Sequence, residues 1–212
     1  MNPYDEWYAL VRALELVEAS EGTVTAINVG PASNDIVIRK ALAIGAHDAV
    51  RIDAEANSAH FTASQIATHA KDQNYDAIFF GKETIDYNGN EVPAMVAEML
   101  DLPFISYVSQ LEAAGGTTKI TRDIEGGVEV ASVTGPYVIS AAKGLAEQRI
   151  PNMRGIMMAK RKPLNVIPAV DVDQKVKISS FGLPDGKSGV KMIDPENMDQ
   201  LVRLLHEEAK VI

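Results

Sequence analysis

Residues 76–100, DAIFFGKETIDYNGNEVPAMVAEML, decide the fold, since they read as a strand, a polar loop and an amphipathic helix. The unbroken apolar run at 77–80 is typical of a strand covered on both faces in a parallel sheet, and Gly81 permits a sharp turn after it. Asn90 is a favourable first residue for a helix, and apolar residues then recur at helical spacing. We therefore predict a loop at the carboxyl end of a parallel strand and a helix from about residue 90.

The polar loop of this segment suits a nucleotide. In an open α/β sheet ligands bind outside the carboxyl ends of the strands, and a helix N-terminus offers free N–H groups to an anion. Lys82, Thr84, Asn88 and Asn90 suit a phosphate or a ribose, and Gly89 allows a close approach of the backbone to a ligand. Because the loop matches neither a Walker A loop nor GxGxxG, an ordinary solvated loop stays open as the alternative.

Helices and strands alternate through the rest of the first half. Helical spacing of apolar residues begins at about residue 5, and a β-rich run at 23–29 ends in Gly-Pro. A helix capped by Asn34 and ended by Gly45 follows, then an apolar run at 49–52 and an alanine-rich helix at 59–73. This alternation predicts an α/β fold with a doubly wound, mostly parallel sheet of the Rossmann-like nucleotide-binding type.

The pattern changes after residue 100. Three β-rich runs, at 104–111, 118–124 and 128–133, are separated by the glycine pairs at 115–116 and 126–127, which favour antiparallel hairpins. Another apolar strand is expected at 136–142. We therefore expect an antiparallel extension of the sheet and place the nucleotide-binding domain at residues 1–143.

The remaining residues look like accessory structure. Residues 144–164 combine a proline-containing loop, a methionine-rich turn and the basic cluster at 160–162. Residues 165–191 are extended and rich in small and polar residues, which is typical of an arm lying on another surface. A closing helix capped at Asp194, with Pro195 in its first turn, completes a C-terminal region at 165–212. The surface on which this C-terminal region packs is either a partner subunit or the chain's own domain.

Composition excludes several classes of protein. The net charge of −9 argues against binding to nucleic acid or to an anionic membrane. No apolar run reaches the length of a transmembrane span, and the first residues do not resemble a signal peptide, so we expect a soluble, cytoplasmic bacterial protein. The absence of cysteine excludes disulfides, thiol nucleophiles and iron–sulfur ligation, and the four histidines lack metal-ligand spacing, so we predict no metal.

Five motifs together resemble the β subunit of electron-transfer flavoprotein, and they occur in that family's order. They are NPYDE at 2–6, VGP at 29–31 with KALAIGA at 40–46, GKETIDYNGNEV at 81–92, DIEGG at 123–127 and GIMMAKRKPL at 155–164. Each motif is weak alone, whereas the set is specific and covers nearly the whole chain.

The resemblance implies a function. In this family the α subunit holds most of one FAD, and the β subunit binds AMP and helps to enclose the flavin. The heterodimer is an electron carrier without substrate turnover of its own. It takes electrons from acyl-CoA and related dehydrogenases and passes them to a membrane quinone reductase.

The resemblance also implies site residues. The AMP contacts would fall on Asn2, Pro3, Tyr4, Asp5, Val29, Gly81, Lys82, Glu83, Thr84, Ile85, Asp86, Tyr87, Asn88, Gly89, Asn90, Glu91 and Val92. Plain core packing is the alternative for Val29. No catalytic residue is implied.

Two further segments would contact partners. Asp123 would contact the flavin domain of the α subunit, with a solvated hairpin charge as the alternative. Dehydrogenases would bind a recognition loop, with Met153 as its apolar anchor in place of the family's leucine; packing of Met153 into its own domain is the alternative. The recognition loop comprises Arg149, Ile150, Pro151, Asn152, Met153, Arg154, Gly155, Ile156, Met157, Met158, Ala159, Lys160, Arg161 and Lys162.

The sequence departs from the family at its start, because family members begin with a further strand and loop before Asn-Pro. Since loss of a central strand would cost more than marginal stability tolerates, we expect an internal start codon or a truncated chain. Two functional alternatives stay open: a flavin-bifurcating relative with FAD in place of AMP, and a stand-alone adenine-nucleotide sensor. A phosphoryl-transfer enzyme would need a Gly-rich P-loop, which the sequence lacks.

Overall fold

The computed structural model describes residues 5–186 and 189–212, which belong to two compact units, Met1–Lys177 and Ile178–Ile212. Asn2, Pro3 and Tyr4, which the sequence assigns to the nucleotide site, lie outside the described residues.

The first unit alternates helices and strands as the sequence predicts. Its helices are Asp5–Ala19 (α1), Asp35–Ile44 (α2), Ala59–Ala70 (α3), Glu91–Leu100 (α4) and Met153–Ala159 (α5), with a 3-10 turn at Ala32–Asn34. Its strands are Thr25–Val29 (β1), Asp48–Asp53 (β2), Ala77–Gly81 (β3), Phe104–Ala114 (β4), Thr117–Ile124 (β5), Gly127–Thr134 (β6), Tyr137–Ala141 (β7) and Leu164–Pro168 (β8).

The strands form two sheets. One is parallel, in the order β1-β2-β8, and the other is mixed, in the order β3-β7-β4-β5-β6. In the mixed sheet β7 pairs in parallel with β3 and β4, while β4-β5-β6 is an antiparallel meander, so the predicted hairpins are confirmed. The α/β class with a mostly parallel core and an antiparallel extension is also confirmed, although a single continuous sheet was expected.

Strand β3 is less deeply buried than its apolar run predicts. It lies at the edge of the mixed sheet, and in the described part of the chain it pairs with β7 alone. All five of its residues are therefore half-buried rather than buried. Alternate residues of β3 still pack against two different core clusters, Ala77 and Phe79 against one and Ile78 and Phe80 against the other. The prediction of apolar cover on both faces is therefore confirmed, and the partial exposure comes from the open edge of the strand.

Helices cover both faces of the parallel sheet, as doubly wound folds require. Adjacent residues of β2 belong to different core clusters. Ala49 packs with Leu14 of α1 and Leu42 of α2. Its neighbour Val50 packs instead in a cluster with α3 and α4, to which Ile66 and other apolar side chains belong. The period of two along a strand thus separates the two helical layers.

Residues 164–168 correct the predicted arm. They form β8, which pairs in parallel with β2 from Ala49↔Leu164 to Asp53↔Pro168. Just beyond the strand, the buried Gln65 side chain donates to the Val170 carbonyl and accepts from the Val170 N–H, both at 2.8 Å. The prediction that residues 165–168 belong to an arm is therefore wrong.

Among its described residues, 178–186 and 189–212, the second unit forms the helix Met198–Leu204 (α6), which continues as a π-helical turn at Leu205–Ala209. Its cap is Asn197, whose side chain accepts from the Gln200 N–H at 3.2 Å. The predicted cap, Asp194, lies in a preceding turn, where its side chain accepts from the Glu196 N–H. The helix therefore begins later than the proline signal predicts.

Candidate functional site

Residues 81–92, hereafter the nucleotide loop, close on themselves between β3 and α4. Thr84 and Gly89 are joined twice, because the Thr84 N–H donates to the Gly89 carbonyl at 2.9 Å and the Gly89 N–H donates to Thr84 Oγ1 at 3.0 Å. The Asn88 N–H also donates to the Thr84 carbonyl. Thr84 therefore shapes the loop, a role that its assignment as a ligand contact did not include.

Other predicted ligand residues also contribute to the loop itself. Asn88 has a left-handed backbone, with φ of 58°, and its side-chain amide donates to Glu83. The Thr84 hydroxyl bond to Asp86 lowers the pKa of that carboxyl group. Ile85 and Tyr87 are exposed. The loop is thus preformed, with apolar side chains at its outer surface.

The first turn of α4 has hydrogen-bonding groups that could bind a ligand. Asn90 occupies the cap position, as predicted, but its side chain makes no capping bond. Its Oδ1 is buried without a partner among the described residues. The N–H groups of Glu91 and Val92 have no acceptor within the helix, and Pro93 has no N–H. A buried acceptor therefore lies at a helix end that is ready for an anion.

Helix α1 begins against the carboxyl end of β3. A Cβ atom at Gly81 would lie 3.0 Å from the Glu6 backbone nitrogen and 3.1 Å from Asp5 Cβ, so the close approach favours glycine. Burial raises the pKa of Asp5, while the neighbouring Lys82 ammonium acts to lower it. The structure thus brings Asp5 together with the start of the nucleotide loop, although they are far apart in sequence.

A cavity of about 610 Å³ adjoins the loop. It joins the predicted loop residues to Asp123, whose carboxylate accepts from Ser109 Oγ at 3.3 Å. Sequence reasoning missed four lining residues, namely Tyr8, Tyr107, Ala142 and Lys143. Lys143 lies two residues beyond the carboxyl end of β7, so the rule on strand ends could have found it.

Val29 lies at the carboxyl end of β1, where its side chain is buried in the core. The next residue, Gly30, is held by Arg51, a buried cation that sequence reasoning missed. Arg51 donates to the Gly30 carbonyl at 3.0 Å and pairs with Asp35 at the start of α2 and with Asp53. A ligand at this strand end would therefore meet the backbone of Val29 rather than its side chain.

The recognition loop, residues 149–162, is anchored at its beginning to α1. The Arg149 guanidinium makes two bonds to the Glu18 carboxylate, at 2.6 and 2.8 Å, and these raise the pKa of Arg149 and lower that of Glu18. The Trp7 indole N–H donates to the Arg149 carbonyl at 3.0 Å. Arg149 therefore has a role within the fold besides its predicted partner contact.

The other end of the recognition loop is anchored to α2. The Lys162 ammonium donates to backbone carbonyls at the end of α2, and burial lowers its pKa. Asn152 caps α5 by accepting from the Gly155 N–H at 2.8 Å. Ala159 is buried, whereas Lys160 and Arg161 are exposed. Of the basic cluster, these two exposed side chains are directed away from the fold.

The middle of the recognition loop presents apolar side chains. Met153 is 74 % exposed, and Ile150 and Met157 are 88 % and 67 % exposed. Ile156 and Met158 are also exposed. A loop that is held at both ends and exposes apolar side chains between them is typical of a protein-binding surface.

Residues 5–186 and 189–212 contain neither a candidate metal centre nor a candidate membrane-spanning helix. These residues contain no group of three His, Cys, Asp or Glu side chains that could hold a metal ion. None of their helices has the length and apolarity needed to cross a membrane.

The parallel sheet with helices on both faces defines an α/β protein of the doubly wound class. A family model for the electron transfer flavoprotein domain matches residues 1–172. A β subunit of electron transfer flavoprotein from Bacillus subtilis (strain 168) is 38 % identical over all of this chain and 88 % of its own length. The corresponding subunits of Syntrophomonas wolfei and Sus scrofa are 37 % and 33 % identical, over 92 % and 100 % of this chain and 78 % and 86 % of their own lengths. The chain belongs to the family of electron transfer flavoprotein β subunits, so the resemblance read from its motifs is confirmed.

Proposed function

We propose that this β subunit binds AMP at the nucleotide loop and helps to enclose an FAD held mainly by an α subunit. The observation that supports AMP binding is the start of α4, where the Asn90 Oδ1 atom is buried without a described partner and the first-turn N–H groups lack helical acceptors.

The residues present fit an adenine nucleotide. The N–H groups of Glu91 and Val92 would hold the phosphate, supported by the helix dipole. The Asn90 acceptor would take a bond from a ribose hydroxyl or an amino group. The Thr84–Gly89 bonds fix the shape of the loop, so little ordering is needed on binding.

The flavin supplies the redox chemistry when it is bound, since it takes up and releases electrons. This chain's part is to cover the flavin and to present docking surfaces. We propose that acyl-CoA and related dehydrogenases dock on the recognition loop, where Met153 would be the apolar anchor and Lys160 and Arg161 would attract acidic partners. Electrons would leave towards a membrane quinone reductase.

We propose that the second unit contributes to the interface with the α subunit. Several of its large apolar side chains are more than four-fifths exposed, namely Phe181, Leu183, Val190 and Met192. Exposed apolar groups in an extended segment favour association with a partner, and such a segment becomes ordered as it binds. Asp123 would contact the mobile flavin domain of the α subunit.

Identification of the nucleotides released on denaturing the purified α/β complex tests this proposal. We expect AMP and FAD in equal amounts. Two equivalents of FAD without AMP would instead support the flavin-bifurcating alternative. Adenine nucleotide on the isolated β subunit, with no flavin in the co-expressed complex, would support the stand-alone sensor. A complex without any nucleotide would refute the proposal.

A further inference from the structure

Strand β4 contains an irregularity beside the cavity. Ile105 pairs with Ile139 of β7, but the next pair is Val108 with Ala141, so two residues of β4 lie opposite the single residue Ser140. This is a β-bulge, a feature that redirects a side chain and often lies beside functional sites.

The bulge changes which face of the sheet the following side chains of β4 point to. In a regular strand, residues three apart point to opposite faces. Here Ile105 and Val108 both pack in the core formed with Ile139 and Ala141. Tyr107 is left out of this core and lines the cavity instead.

Tyr107 adopts a backbone conformation that tyrosine rarely takes. Its φ is 56°, in the left-handed region, where the Cβ atom is crowded. The fully buried Ser140 supports this conformation, because its Oγ accepts from the Tyr107 N–H at 3.0 Å. Glycine or asparagine would form the same bulge at a lower cost. A strained, half-buried aromatic ring beside a cavity therefore suggests a ligand contact.

The charges around the ring indicate which ligand group fits. Lys82 Nζ lies 5.6 Å from the centre of the Tyr107 ring. The cavity is lined by cations, including Lys82 and Lys143, and by carboxylates, including Asp123. A lining of mixed sign favours a neutral planar ring with polar edges over a multiply charged anion.

We propose that Tyr107 is the stacking surface for a nitrogen heteroaromatic ring of the bound nucleotide, either adenine or isoalloxazine. The bulge sets the ring at the cavity, and Lys82 lies beside it. This inference rests on the proposed function, because it requires that the complex binds AMP or FAD.

The test compares Tyr107→Gly and Tyr107→Phe in the α/β complex after nucleotide removal. Rebinding of AMP is measured by calorimetry and rebinding of FAD by flavin fluorescence. Tyr107→Gly removes the ring and relieves the backbone, so we expect affinity for one nucleotide to fall about tenfold. The melting temperature of the nucleotide-free complex should not fall. Tyr107→Phe should bind as the unsubstituted complex does.

Asn74→Gly is the matched control, since Asn74 also has a left-handed backbone, with φ of 53°, and is exposed on a loop outside the cavity. A loss confined to AMP identifies adenine as the stacked ring, and a loss confined to FAD identifies isoalloxazine. Unchanged affinity for both, or an equal loss in Asn74→Gly, overturns the inference. If Tyr107→Gly does not fold, Tyr107→Asn serves the same comparison. If the unsubstituted complex rebinds neither nucleotide, the proposed function itself has failed.

Discussion

Arg39 and Lys162 cap each other's helices: Arg39, on α2, caps the end of α5, and Lys162, just after α5, caps the end of α2. Arg39 on α2 donates from Nη1 to the carbonyls of Ala159, the last residue of α5, and of Lys162, at 2.7 Å each. Lys162 Nζ donates to the carbonyls of Leu42, Gly45 and Ala46 at the end of α2, at 3.0, 3.2 and 2.6 Å. Cations at helix C-termini satisfy free carbonyls and oppose the helix dipole. The recognition loop is therefore locked to α2.

We predict that Lys162→Met lowers the stability of the complex. Methionine keeps the apolar stem but loses the charged donor, and hydrogen bonds to charged groups contribute about 1.5–3 kcal/mol. Thermal unfolding of the complex should show a melting temperature several degrees lower. Lys160→Met is the control, because Lys160 is exposed. An equal loss in both variants would mean that general charge, rather than capping, explains the effect.

We predict that Gly155→Ala separates α5 from α2. A Cβ atom at Gly155 would lie 2.4 Å from the backbone oxygen of Ala43, which cannot move as a flexible side chain would. Overpacking of this kind costs about 1–3 kcal/mol. Hydrogen exchange of α5 should accelerate in the variant. Gly127→Ala is the control, since nothing lies near a Cβ atom there; acceleration in both variants would contradict the prediction.

We predict that Asn90→Leu reduces the AMP content of the complex, because leucine removes the buried acceptor beside the start of α4. Asn90→Asp sharpens the test. Aspartate is a good helix cap, so α4 should not lose stability, but its charge would repel a phosphate. Nucleotide is measured by chromatography of the denatured complex. A full complement of AMP in both variants would show that the phosphate lies elsewhere.

We predict that Asp123→Ala alters the balance between open and closed forms of the complex. Asp123 is exposed at the cavity, where it could face the flavin domain of an α subunit. Small-angle scattering measures the two populations. Glu125→Ala, in the adjacent turn, is the control. Unchanged scattering for Asp123→Ala would favour a solvated hairpin charge.

The features that the sequence predicts correctly are those set by residues close together in the chain. Periodicity locates the helices and most strands, and glycine pairs locate the hairpins. The bulge at Tyr107 escapes such reasoning because its support, Ser140, lies 33 residues away. The capping by Lys162 depends on carbonyls more than a hundred residues away. Strand β8 has no apolar run, since it is a partly exposed edge strand that needs β2 as a template.

The last prediction concerns Met153. It is 74 % exposed at the start of an α5 that is held from both sides, so its truncation should not open a cavity in the core. Methionine is flexible enough to pack into several different pockets, which suits a carrier with many partners. A buried anchor at a protein interface often contributes 2 kcal/mol or more, which corresponds to roughly thirtyfold in affinity.

Met153→Ala in the complete α/β complex should therefore leave the melting temperature and flavin content nearly unchanged. Reduction of the flavin by an acyl-CoA dehydrogenase should require a much higher concentration of the carrier, as measured from the dependence of the initial rate on carrier concentration. Met99→Ala is the control, because Met99 is a partly exposed methionine on α4, outside the recognition loop. Unimpaired reduction of Met153→Ala, or equal impairment of Met99→Ala, would mean that dehydrogenases dock through another part of the surface.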